Sequence, residues 1–114
     1  KKDHPALQQG VKWIGDQGPS KSNSYYNYYA TQVMRHYEGE LWDKWNNVMR
    51  DQLVKSQGTA GHERGSWAIA GTGHTNAKGG RLYETSMSTM VLEVYYRHMP
   101  IYRKQSTESE FPLD

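Results

Sequence analysis

Between residues 24 and 38 the chain carries Tyr25, Tyr26, Tyr28, Tyr29, Ala30, Val33, Met34 and Tyr37 on one stretch free of glycine and proline. Wound as a helix, these side chains point in nearly every direction. A helix that is apolar on every side is buried on every side, so the segment predicts an inner helix enclosed by others. The rest of a 114-residue chain must then supply the elements that wrap it. Asn23 or Ser24 supplies its N-terminal cap.

The other segments fall into two kinds. Residues 4–17 form an amphipathic helix, with Pro5 suited to its first turn, Leu7, Val11 and Ile14 on one stripe, and Trp13 beside them. Gly10 weakens it and Gly18-Pro19 ends it. After Gly39, residues 40–57 are again one-sided. Trp42, Trp45, Met49 and Leu53 share a face with Leu41 and Val48, opposite Asp43, Lys44, Arg50, Asp51 and Lys55. Residues 81–99 carry Leu82, Tyr83, Met87, Met90, Val91, Leu92, Val94, Tyr95 and Tyr96, apolar on most sides, up to Pro100.

The order is therefore amphipathic, buried, amphipathic, buried, and it has the form of a repeat. Residues 11–17 and 50–57 both end on Gln before Gly, while 30–34 and 88–92 both begin five residues past a Tyr, Tyr25 and Tyr83. An ordinary four-helix bundle would give four similar one-sided stripes. The pattern instead predicts an all-α fold, a segment of an α/α-toroid built from two helical hairpins, with 4–17 and 40–57 outside and 24–38 and 81–99 inside. This domain spans residues 1–103; the polar stretch 104–114 is expected to be a mobile tail.

Composition limits the chemistry. The absence of cysteine removes disulfides, thiolate zinc sites and a cysteine nucleophile. A net charge of +2, from 14 basic and 12 acidic residues without a dense positive stripe, argues against nucleic acid as a partner. No apolar run approaches the roughly 20 residues of a membrane span. No cofactor motif is present, and nothing indicates a compartment. Nine Tyr and four Trp against one Phe suit walls that need an apolar body and a polar tip.

Gln57 followed by Gly65-Ser66-Trp67 resembles the QW motif of the squalene cyclase and protein prenyltransferase (terpenoid cyclase-like) superfamily, with a longer spacer, residues 58–64, than is usual there. Residues 25–31 and 80–85 resemble inner-helix starts of bacterial members, and 97–102 the end of such a repeat. The likeness covers about residues 4–102 but only two hairpins. It implies a toroid fold in which Gln57, Gly65 and Trp67 form a structural brace. It also implies partners: other helical repeats of the same chain or a second copy, and a hydrophobic or isoprenoid ligand. The family's chemistry is missing, since the chain has no Asp-x-Asp-Asp run, no cysteine for a prenyltransferase zinc site and no Cys-Gly-Glu-Gln thioester motif.

The residue types leave a short set of candidates. Tyr25, Tyr28, Tyr29, Tyr83 and Tyr95 on the inner helices would line a cavity, where aromatic faces attract cations. Glu84, near an inner-helix start, would sit at the cavity floor with Tyr83 and Tyr25; its simpler role is to favour the helix dipole. Glu38, Glu40 and Glu63 are the other carboxylates weighed for acid–base work. His4, His36, His62, His74 and His98 are scattered, and only His62-Glu63 with His74 would meet at a metal. Residues 71–76, with Arg81, sit before a helix and would suit an anion. The long connection 58–80 holds seven of the eleven glycines, and loops this long are often functional. The expectation is a scaffold or binding wall within a larger chain or assembly, with no catalytic motif of its own. The alternatives are a fragment of a cyclase-type enzyme or a helical module binding protein or carbohydrate.

Overall fold

A computed structural model of the chain describes residues 2–69 and 74–101, with side chains except at 74–77 and 95–101. The fold is all-α: α1 (Pro5–Gln17), α2 (Ser24–Tyr37), α3 (Glu40–Ser56) and α4 (His74–Ile101), with one short 3-10 turn at Gly61–Glu63. Among the described residues there is no strand. The expected tail 104–114 lies outside them.

Local chemistry sets the helix ends. His4 caps α1, its Nδ1 accepting from the Ala6 N–H at 3.3 Å, with Pro5 entering the first turn. Asn23 caps α2, its Oδ1 accepting from the Tyr26 N–H at 2.9 Å. That choice leaves the Ser24 hydroxyl free of capping duty. The turn into α3 runs through Glu38 (φ 65°, ψ −171°) and Gly39 (φ 75°, ψ −161°). The first of these is a backbone region that costs a non-glycine residue about 1–3 kcal/mol. Gly80 adopts φ 64°, ψ −160° and breaks α4 in two, so that its long second part starts at Arg81. The expected loop 58–80 is thus shorter than its glycine content suggested, because the chain is already helical at His74. Pro100, expected to stop the helix, falls inside its last turn; lacking only its own N–H bond, it leaves one further residue in the helix.

α2 is the hub. It touches α4 most extensively, then α3 and α1, and α1 and α3 touch each other. The core is built from Val11, Ala30, Met34, Trp42, Trp45, Met49, Leu53, Trp67, Val91 and Val94. The α3 stripe Trp42, Trp45, Met49 and Leu53 is buried as its spacing requires. The inner helices differ from expectation. α2 buries Asn27, Ala30, Thr31 and Met34, while Tyr25 (53%), Tyr29 (52%) and Val33 (39%) remain exposed. Contacts with three neighbours still leave the side carrying Tyr25, Tyr29 and Val33 facing solvent. α4 likewise buries one stripe, Glu84, Met87, Ser88, Val91 and Val94, and turns Leu82 (80% exposed), Ser86, Thr89 and Glu93 outward. On α1, Val11 is buried, whereas Leu7 and Trp13 are exposed.

Asn27 and Thr31 are buried because they are fully engaged. The Trp45 indole donates to Thr31 Oγ1 at 2.9 Å, and that hydroxyl donates to the Asn27 carbonyl at 2.6 Å. The Asn27 side-chain amide accepts from the Ser20 N–H and donates to the Ser20 carbonyl, both at 2.8 Å. Gln52 of α3 donates to the same carbonyl at 2.8 Å. This network fixes the α1–α2 connection against α2 and α3, and it satisfies groups whose burial alone would cost several kcal/mol.

Candidate functional site

A cleft of about 390 Å³ opens where the start of α2, the second half of α3 and the start of the long part of α4 converge, closed on one side by residues 67–69. Its walls are mixed. Met49, Leu53, Trp67, Ile69 and Val91 give apolar surface, and Ser20, Ser24, Asn27, Gln52, Glu84 and Ser88 give polar surface. Small-molecule sites are commonly concave, mostly apolar and set with a few polar groups.

Glu84 is the group that stands out. It is 3% exposed. The Ser24 hydroxyl, released by Asn23 from helix capping, donates to its Oε2 at 2.5 Å across sixty residues of sequence. Its Oε1 is buried and accepts no hydrogen bond among the described residues. Asn27 and the Ser20 backbone on the same wall are mutually satisfied. One carboxylate oxygen therefore carries the unmet polarity of this cleft, and leaving such an atom unpaired costs about 1–3 kcal/mol or more.

The segment after α3 is stitched down. Gln57 donates from Nε2 to the Gly65 carbonyl at 3.0 Å, and the Trp67 indole donates at 2.9 Å to the Leu53 carbonyl, which also accepts from the Gln57 N–H at 3.1 Å and the Ser56 hydroxyl at 3.2 Å. The Trp67 N–H reaches Thr85 Oγ1 of α4 at 3.1 Å. Backbone bonds from Gly58 N–H to the Ser66 carbonyl and from Gly65 N–H to the Gly58 carbonyl, both 2.8 Å, close the loop at its base. A Cβ at Gly58 would lie 2.6 Å from the Glu63 carbonyl oxygen, so the closure needs glycine there. These bonds join the segment to its own helix α3 and to α4.

The candidate residues divide as follows. Among the candidates whose side chains are described, Tyr25, Tyr28, Tyr29, Tyr83 and Glu84, only Glu84 lines the cleft. Tyr25 and Tyr29 are exposed on α2 with ring centroids 4.7 Å apart, and Tyr29 lies 5.2 Å from Tyr28, which is half-buried and packs against the core. Tyr29 has its pKa raised, first by its hydrogen bond with Tyr25. Tyr83 is half-buried, its hydroxyl enclosed without a hydrogen bond among the described residues. The Tyr95 side chain lies outside the described residues. Arg81 holds Ser66 Oγ at 2.9 Å and Glu63 at 3.2 Å, so that guanidinium braces the loop, and residues 70–73 of the anion candidate fall outside the description. The same ion pair takes Glu63 away from a metal. His62 is exposed, and the His74 side chain is not described. Among the described residues no group of three His, Cys, Asp or Glu is placed to hold a metal ion, and no helix is long and apolar enough to cross a membrane. Glu38 and Glu40 are exposed at the α2–α3 turn, Glu38 paired with Lys2 at 2.9 Å.

Sequence reasoning did not place Ser24, named only as a possible cap, or Asn27, Gln52 and Ser88 in a site. A signal for the first two existed. Asn27 and Thr31 interrupt the aromatic run at helical spacing, and matching Tyr25 to Tyr83 sets Glu84 level with Tyr26, within one turn of Ser24. Comparison with protein families, with characterised proteins and with solved structures finds no match to this chain.

Proposed function

We propose that this chain is a two-hairpin segment of a terpenoid-cyclase-like α/α-toroid, and that it serves as a scaffold or binding wall within a larger chain or assembly. The observation that carries the reading is the bare side of α2. Tyr25, Tyr29 and Val33 recur every fourth residue on a helix that is otherwise enclosed, and Leu7 of α1 extends the apolar surface beside Tyr29 and Val33. An apolar stripe of this kind is the face a further inner helix would cover. The occupant is a helical hairpin of the same type, from the same chain or a second copy. The contacts of α2 with α1, α3 and α4 are compatible with the same reading.

Sedimentation equilibrium tests it. Association that grows with concentration is expected, and the double variant Tyr29→Glu, Val33→Glu is expected to shift the population to monomer by tenfold or more in dissociation constant while far-UV circular dichroism stays unchanged. A strictly monomeric chain that also fails to bind neighbouring repeats would sink the reading.

A further inference from the structure

The geometry points to a second role, independent of the toroid reading: we propose that the cleft around Glu84 binds a small organic ammonium ion, an apolar body carrying one cationic N–H head. Three observations meet there. The cleft holds about 390 Å³, room for a compact organic molecule. The wall formed by Leu53, Trp67 and Val91 is apolar and suits a hydrocarbon body. Glu84, 97% removed from solvent by its 3% exposure, keeps one carboxylate oxygen without a donor among the described residues.

A buried carboxylate needs compensation, and one serine hydroxyl supplies a fraction of it. A neutral alcohol would satisfy hydrogen bonding but leave the charge. An ammonium head satisfies both, in the short charge-assisted geometry that makes such bonds about twice as strong as neutral ones. Glu84 and Ser24 both line the cleft, so the acid and the hydroxyl that anchors it stand at the wall an ammonium head would meet. Ser88 lies one turn along α4 from Glu84 on the same wall and offers a hydroxyl acceptor for a second N–H.

The experiment uses the whole chain, with benzylammonium chloride as probe and benzyl alcohol as its uncharged counterpart. Trp67 in the cleft wall gives a fluorescence readout, and calorimetry gives affinity. Saturable benzylammonium binding is expected, at least tenfold tighter than benzyl alcohol, and weakened at least tenfold by Glu84→Gln. The comparison of the two probes on the unmodified chain requires no variant, so it stands even if Glu84→Gln disturbs folding. Equal affinity for the two probes, equal affinity of the unmodified chain and Glu84→Gln, or no saturable binding overturns the proposal. Its outcome is separate from sedimentation: a monomer that binds benzylammonium removes the toroid reading alone, and an associating chain that does not bind removes this one alone.

Discussion

At the scale of single residues, Glu38 and Tyr26 give the clearest consequences. Glu38 occupies φ 65°, ψ −171°, a region used elsewhere in this chain by Gly18 (φ 69°, ψ −179°). Glu38→Gly relieves that strain, about 1–3 kcal/mol, and forfeits an exposed ion pair with Lys2 worth about 0–1 kcal/mol. A net gain of about 1 kcal/mol is expected from urea denaturation. Tyr26 packs edge-on to Trp45, donates its hydroxyl to the Gly18 carbonyl at 3.2 Å, and has its pKa raised above 10.0 by burial. For a raised acid the sign is clear. The unfolded chain ionises first, so stability present below pH 10.0 is lost as the pH rises through the folded value. Tyr26→Phe should flatten that alkaline decline, as read from urea midpoints at about pH 9 and about pH 11.

At the scale of elements, Trp67 is the tie between two helices, bonding α3 through its indole and α4 through its backbone N–H. Trp67→Phe removes one of three donors to the Leu53 carbonyl and leaves a void where the larger ring packed. A loss of about 1–3 kcal/mol in urea denaturation is expected. The elements themselves were legible. Trp42, Trp45, Met49 and Leu53 announced α3 by spacing, and Pro5, Gly18 and Gly39 marked ends that the structure uses. What was not legible is which side of α2 faces inward. Eight apolar side chains around one helix carry no phase, and Asn27 and Thr31 are buried because Ser20 and Trp45 supply their bonds. Those partners come from other segments, so composition alone favoured the tyrosines. The site was half legible for the same reason. Glu84 drew notice as an acid near a helix start, while its contact with Ser24 depends on packing across sixty residues.

At the scale of the whole molecule, α2 meets its neighbours over very different chain distances. Its bond to α3 through Thr31 and Trp45 spans fourteen residues, and its bond to α4 through Ser24 and Glu84 spans sixty. Closing the longer loop costs only about 1 kcal/mol more in chain entropy. The shorter closures favour an order of events, and the expectation is that α1, α2 and α3 gather first and α4 docks afterwards. A chain emerging from synthesis would hold α2 with its largest contact unmade until α4 follows, so its time of greatest exposure to aggregation is set by when α4 arrives. Val91→Ala, on the docking face of α4, is then expected to raise the unfolding rate several-fold and leave the refolding rate nearly unchanged in a chevron measurement. A refolding arm slowed as much as the unfolding arm is accelerated would place α4 in the folding nucleus instead.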